Sequence, residues 1–281
     1  MPSPNLRRTR HFRIVRAFQT SREGLAAAPD GRGAPRLGPV RPFLLLASRP
    51  EDVAADDEHA AFLRFTGLPA ERLHRVRMEA GPLPAIDLDE YAGVIVGGSP
   101  FSSSDPEESK PPTQRRVEAE LKPLLDQIVA RDVPFLGACY GVGTLGAHQG
   151  AVIDGRFAEP VGPVPVTLTD AGAADPLLAG LPRTFEAFVG HKEACSALPP
   201  GAVLLASSPT CPVQMFRMRR HLYATQFHPE LDAQGILTRI EVYRHAGYFP
   251  PHEADQVAAR IRAADVSWPR LVLENFVRLF G

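Results

Sequence analysis

The sequence predicts an α/β fold: a mostly parallel central sheet flanked by helices, with further helices at the C-terminal end. Three observations predict it. From Pro42 onward, short apolar runs alternate with segments of helical period. Two of the runs end in glycine-rich turns, "VGGSP" and "GACYG", at the strand ends where open parallel sheets bind ligands. The composition, 44% hydrophobic and 22% charged over 281 residues, suits a globular chain with a sizeable core.

The elements follow in order. Residues 1–40 are expected to form a disordered basic tail, and residues 41–281 the α/β domain. In the tail, eight arginines from Arg7 to Arg36 face only Glu23 and Asp30, and "GLAAAPDGRGAPRLGP" has no core-forming period. "PFLLLAS" (42–48) predicts a buried strand. "DDEHAAFLRFTG" (56–67) predicts a helix stopped by Gly67. "RLHRVRME" (72–79) alternates and predicts a strand. "YAGVIVGG" (91–98) predicts a buried strand ending in two glycines. Residues 113–132 carry Val117, Leu121, Leu124, Leu125 and Ile128 at helical spacing, with Pro123 as an expected kink. "VPFLGA" (133–138) returns to strand. Short strands are then predicted at 161–170, 185–194, 202–208, 211–218 and 221–230. Apolar stripes at 233–247, 252–265 and 269–280 predict closing helices, with 244–255 as a connecting loop.

Bulk properties exclude several classes. A formal net charge of −1 gives no reason to expect a nucleic-acid partner, and "RMRRH" (217–221) reads as a solvated hairpin tip. No apolar run reaches the length of a membrane span, so no membrane partner is expected. Cys139, Cys195 and Cys211 are widely spaced and odd in number. They make neither a disulfide framework nor a zinc motif, so no metal is expected and a reducing, cytoplasmic compartment fits.

Three segments at predicted strand ends carry the chemistry: "VGGSP" (96–100), "GACYG" (137–141) and "QFHPE" (226–230). Each alone has a plainer reading. A glycine pair can be a turn, a cysteine a small buried hydrophobe, a histidine a satisfied core residue. Together they supply a nucleophile, a base, an acid to orient the base, and bare backbone amides. Cys139 would attack as thiolate, favoured at a helix N-terminus beside a histidine. His228 would take the thiol proton and return it to the leaving amine. Glu230 would hold the other ring nitrogen and fix the tautomer. The N–H groups of Gly98 and Tyr140 would meet an oxyanion, with the unobstructed Gly141 beside them. The reaction class is acyl transfer through a thioester.

"GACYG", followed by "SPTCPVQMF" and "YATQFHPEL", resembles the class I glutamine amidotransferase family, in the version found in the amidotransferase domain of GMP synthase and its stand-alone relatives. The likeness covers roughly residues 42–232. It implies a flavodoxin-like fold, a Cys139–His228–Glu230 triad, an oxyanion site at Gly98 and Tyr140, and glutamine as acyl donor. His191, in "FVGHKEA", stands where the family carries a Ser-His motif and is implied to be substrate-binding. Gly143 departs from the pattern. The family carries Gln there, which helps hold the charged end of glutamine; another group or a different γ-glutamyl substrate would fill the space. No ATP-pyrophosphatase loop or Walker-type loop is present, so no nucleotide cofactor is expected.

The leading expectation is therefore a glutaminase releasing glutamate and ammonia for a separate synthetase. The alternatives are a γ-glutamyl peptidase or hydrolase, which needs no acceptor partner, and a silent amidotransferase-like binding subunit. Cys195 and Cys211, next to apolar strands, are expected to be packing residues.

Overall fold

The computed structural model describes residues 40–281 except Ala246. The tail expected over 1–40 lies outside the described residues, save Val40. β1 (Phe43–Ala47) leads through α1 (Asp52–Thr66) to β2 (Leu73–Arg77), and β3 (Gly93–Val96) leads through α2 (Pro112–Arg131) to β4 (Phe135–Ala138) and α3 (Tyr140–His148). Then come β5 (Val152–Asp154), β6 (Glu159–Leu168), the short α4 (Asp170–Ala173), β7 (Thr184–His191), β8 (Ala194–Ala197), β9 (Val203–Ser207), β10 (Met215–Met218) and β11 (Leu222–Thr225). The helices α5 (Ala233–Val242), α6 (Ala254–Ala263) and α7 (Arg270–Phe280) close the chain.

The central sheet has nine strands in the order β2-β1-β3-β4-β11-β10-β9-β6-β7. The five from β2 to β11 are mutually parallel, and the remaining four extend the sheet antiparallel. β5 and β8 pair in a separate small sheet. β1, β3 and β4 are buried at every position. That explains their unbroken apolar runs, since parallel strands are covered on both faces. Alternate residues serve opposite layers. Phe43, Leu45 and Ile95 pack with Phe62 of α1 and Phe276 of α7. Leu44, Leu46, Val94 and Val96 pack with Val117, Leu121 and Leu125 of α2 and Leu145 of α3. A third cluster, including Phe188, Ile236, Phe249 and Ile261, seats α5 and α6.

Several boundaries differ from expectation for local reasons. α1 begins at Asp52, one turn early, because Glu51 makes no side-chain cap that the sequence would advertise. α2 continues through Pro123 as one helix. The strand expected over 211–218 begins only at Met215. Pro212 has no N–H to give a ladder, and Ser208 Oγ accepts the Cys211 N–H at 2.9 Å in a turn. The strand expected over 221–230 ends at Thr225, whose hydroxyl donates to the Phe227 carbonyl at 2.8 Å. The chain there leaves the sheet, placing residues 226–230 beyond the strand end. α5 stops at Val242 rather than 247. Among the described residues no helix is long and apolar enough to cross a membrane.

Candidate active site

The site is built on the turn from β4 into α3. Cys139 stands between them with φ 55° and ψ −83°, a conformation few non-glycine residues hold and one that marks functional turns. Its N–H donates to the Thr225 carbonyl at 2.7 Å, which ties the turn to β11. A Cβ at Gly137 would lie 2.5 Å from the Cα of Gly141. The strand end and helix start therefore pack backbone on backbone. That is why small residues flank Cys139 on both sides.

His228 and Glu230 follow β11, the strand beside β4. The His228 N–H donates to the Phe188 carbonyl at 3.0 Å. Its Nδ1 lies 2.7 Å from Glu230 Oε1. Both side chains are buried, and Cys139 is half-buried. Cys139 and His228 line one cavity, together with Arg49, Ser99, Arg239 and Tyr248. On its other side Cys139 lines a second cavity with Tyr140, His191, Glu193 and Gln226.

Arg239 of α5 reaches the same pair. Its Nη2 donates to Glu230 Oε1 and to Glu58 Oε1, each at 3.1 Å. Its Nη1 lies 3.1 Å from His228 Nδ1. Nδ1 cannot donate to Glu230 and accept from Arg239 at once. Nδ1 keeps its proton and donates it to the carboxylate at 2.7 Å, so Nε2 remains the basic nitrogen. Arg49, after β1, donates from Nε to Glu58 Oε1 at 2.9 Å and from Nη1 to Tyr243 Oη at 3.3 Å.

The electrostatics follow from this packing. Burial lowers the His228 pKa; Glu230 opposes the shift, and Arg239 and Arg49 reinforce it. Burial alone would raise the Glu230 carboxyl, but the charge and hydrogen bond of His228, then Arg239, hold it well below the usual carboxylate range. Burial pushes the Cys139 thiol up to about 12, and Arg49 is the largest influence pulling it back. Burial therefore favours thiol over thiolate at Cys139 and neutral imidazole over imidazolium at His228.

Gly98 lies at the same point. A Cβ there would sit 2.6 Å from Arg49 Nη2 and 2.8 Å from His228 Cε1. His191 ends β7 and lines the second cavity, but both ring nitrogens are engaged: Nδ1 is 2.9 Å from the Glu193 carbonyl and Nε2 is 2.8 Å from Glu159 Oε2. Its ring holds the turn that carries Glu193. The space beside Gly143 is occupied. A Cβ there would lie 2.3 Å from Ser103 Oγ and 2.5 Å from Glu193 Oε1. Glu193 in turn accepts the N–H groups of Ser103 at 2.8 Å and Ser104 at 2.7 Å.

Cys195 and Cys211 are fully buried, with thiols directed to the Ala197 and Val213 carbonyls. Glu159, His191 and Cys211 bring potential metal-ligating atoms within 4.8 Å of one another. Glu159, however, already accepts from Thr210, Ser208 and Gln214 besides meeting His191, so the cluster reads as a hydrogen-bonded knot behind β7.

Sequence reasoning missed Arg49, Glu58, Glu193, Arg239 and Tyr243. The 244–255 loop, read chiefly as a connection with covering of the site mouth as the lesser alternative, supplies Tyr248 to both cavities beside Cys139 and Phe249 to one.

Comparison with known proteins agrees with this architecture. The family model for glutamine amidotransferase class I matches residues 72–235. The chain is 32% identical over 216 residues to a glutamine-hydrolysing GMP synthase of Streptomyces avermitilis, covering 73% of this chain and 37% of that protein. It is 31% identical over 163 residues to the glutamine amidotransferase-like protein YfeJ of Salmonella typhimurium, covering 57% of this chain and 65% of that one. The chain thus spans about a third of the length of the GMP synthase it matches. Among solved structures, a glutamine amidotransferase from Thermotoga maritima superposes with a TM-score of 0.66 at 20% identity, over 84% of this chain and 98% of that one. One from Methylobacillus flagellatus superposes at 0.65 with 22% identity, over 86% and 96%.

Proposed function

This chain belongs to the class I glutamine amidotransferase family, and on that footing we propose that it hydrolyses the γ-amide of glutamine through a Cys139–His228–Glu230 triad. The observation that carries the proposal is the strained Cys139 turn sharing a cavity with His228, whose Nδ1 is held by Glu230 at 2.7 Å. Cys139 Sγ attacks the amide carbon as its proton passes to His228 Nε2. The carbonyl oxygen becomes an oxyanion at the N–H groups of Gly98 and Tyr140. His228 then gives the proton to the leaving nitrogen, releasing ammonia and leaving a γ-glutamyl thioester. Water, deprotonated by the same nitrogen, attacks the thioester; glutamate leaves and the thiol is restored. Glu230 stays anionic throughout and steadies the imidazolium.

Tyr140 and the His191–Glu193 turn line the wall proposed to receive the amino-acid end of the substrate, with Gly141 next to Tyr140 and packed on Gly137. The ammonia passes to a synthetase on another chain or domain, as the likeness to part of GMP synthase suggests. A cytoplasmic location and a tail–domain division near residue 40 belong to the same reading.

A γ-glutamyl peptidase is the second reading, favoured by Gly143 in place of the family's Gln. Ser103 and Glu193, which a Cβ on Gly143 would meet, weigh against a bulkier substrate lodging on that side of Gly143. The test is glutamate release from glutamine and from a panel of γ-glutamyl dipeptides. Wild type should prefer glutamine. Cys139→Ala should abolish turnover, while Cys195→Ala and Cys211→Ala keep most of it. Full activity in Cys139→Ala overturns the thioester mechanism; cleavage of dipeptides alone overturns the glutaminase reading.

A further inference from the structure

Two buried arginines near the triad are more than that triad needs. Glu58 of α1 is fully buried, and its Oε1 accepts from both Arg49 and Arg239. The two guanidiniums and the two carboxylates, Glu58 and Glu230, balance in charge. Burying four charges is costly, and such clusters are often replaceable by apolar residues without loss of stability. Their presence therefore points to a use for the charge itself.

The backbone is shaped around one of these ion pairs. A Cβ at Gly97 would lie 2.7 Å from Glu58 Oε2, and one at Gly98 would lie 2.6 Å from Arg49 Nη2. The Gly97–Gly98 pair is thus a socket for the Arg49–Glu58 pair as well as a source of bare amides. Arg239 donates to both carboxylates. Arg49 is placed differently. Its Nε is taken by Glu58 and its Nη1 by Tyr243, while Nη2 makes no hydrogen bond among the described residues. That nitrogen lies against Gly98, at the place where a Cβ would also meet His228 Cε1, and the side chain lines the cavity of Cys139.

We propose that Arg49 is an electrostatic positioning residue for the nucleophile: Glu58 and the glycine pair hold its guanidinium where it stabilises negative charge forming on Cys139 Sγ. The inference rests on the reading of Cys139 as nucleophile. The charged and titratable groups facing the sulfur define the field. Arg49 and Arg239 favour thiolate, and Glu230 and Glu193 oppose it. Glu58 stands behind Arg49, His228 receives the proton, and Lys192, Tyr243 and Tyr248 border the two cavities. The paired Glu58 and Tyr243 keep Arg49 charged at every working pH. Burial by itself would lower its pKa, and those partners more than reverse that.

The experiment follows alkylation of Cys139 by iodoacetamide against pH, with the modified peptide quantified by mass spectrometry. It compares wild type, Arg49→Lys, Arg49→Met and the charge-balanced Arg49→Met/Glu58→Gln. Near-UV circular dichroism confirms the fold of each. An opposite charge at close range shifts a titration by about 1 unit or more. On the rising limb of the pH profile the alkylation rate should therefore fall about tenfold or more in Arg49→Met and in the double variant. Arg49→Lys, which keeps the charge, should stay near wild type. A folded double variant that alkylates with the wild-type pH profile overturns the proposal. So does Arg49→Lys shifting as far as Arg49→Met, since geometry rather than charge would then be at work. Failure of the nucleophile reading is separate: it appears as retained glutamine hydrolysis in Cys139→Ala.

Discussion

Replacing Gly143 by the family's Gln should damage the site rather than restore it. Sequence logic alone argues the opposite, since an added amide offers hydrogen bonds to the charged end of glutamine. The structure leaves no space for the first carbon of that side chain. Its Cβ would lie 2.3 Å from Ser103 Oγ and 2.5 Å from Glu193 Oε1. Ser103 Oγ, without a hydrogen-bond partner among the described residues, can rotate away, but Ser103 Cβ would still lie 3.1 Å off, and its backbone is fastened to Glu193 through the Ser103 and Ser104 N–H groups. Overpacking of this kind costs about 1–3 kcal/mol. A hydrogen bond to a charged group lost in the retreat costs about 1.5–3 kcal/mol more. Gly143→Ala should therefore destabilise by about 1–3 kcal/mol from overpacking alone, and by up to about 6 kcal/mol where the Glu193 hydrogen bond is lost as well. With a urea slope of about 1–3 kcal/mol per molar, the unfolding midpoint should fall by about 1 M or more. Gly162→Ala is the control, because a Cβ there meets nothing within 4 Å. Gly143→Gln should also raise the KM for glutamine, because Glu193 lines the cavity beside Cys139. A wild-type midpoint for Gly143→Ala, or a lower KM for Gly143→Gln, would refute the reasoning.

Glu230→Gln should lose stability as well as activity. It leaves Arg239 and Arg49 sharing one carboxylate, and breaking a buried pair costs about 3–5 kcal/mol. Glu230→Gln/Arg239→Met should regain part of the unfolding free energy while turnover stays low; a Glu230→Gln protein as stable as wild type would show that the network is not charge-balanced as described. The acid limb of kcat/KM should fall below the ordinary histidine value, since burial, Arg239 and Arg49 depress His228 and the base works only when neutral. A pH–rate series should place that limb higher in Arg239→Met; a wild-type limb above the ordinary value would contradict the assignment. Thermal stability should hold across neutral pH and drop as pH falls below the usual carboxylate range. Glu230 and Glu159 both have depressed folded-state pKa values, so each contributes stability above its unfolded pKa that is lost on acidification. Glu159→Gln should flatten the slope of Tm against pH.

The parallel half of the sheet was legible because its signals are local. β1, β3 and β4 are apolar at every position and bounded by glycine or proline, so burial on both faces writes itself into the residues. The short strands were read less well. β10 begins four residues later than its apolar run suggests, because Pro212 and Ser208 form a turn inside the run. The pair β5–β8 was not read at all. Its strands are three and four residues long and are held by partners forty or more positions away. α3 is rich in glycine and poor in helix-forming residues, and it forms because Val142 and Leu145 are buried under the sheet.

Cys139, His228 and Glu230, the residues proposed as a triad, stood out in the sequence for a different reason: each sits in a short motif next to a strand end. Arg49, Glu58 and Arg239 sit in none, and Arg239 meets Glu58 across 181 positions. Yet the sequence carries a signal for two of them. The buried face of α1 runs Ala54, Ala55, Glu58, Ala61, Phe62, with a carboxylate at the centre of an apolar stripe. The buried face of α5 runs Gly235, Ile236, Arg239, Ile240, with a guanidinium in the same position. A charge at core spacing is expensive unless paired, so each of these helices requires an opposite charge at the sheet it packs on. Two such stripes of opposite sign in one chain are each other's simplest solution. Arg49 falls outside even this rule, because it lies in a loop with no period to violate. Its trace is indirect, in Gly97 and Gly98. A strand-end glycine pair reports bare amides, but here it also reports what crowds against them, and that crowd is the ion pair on which the electrostatics of Cys139 depend.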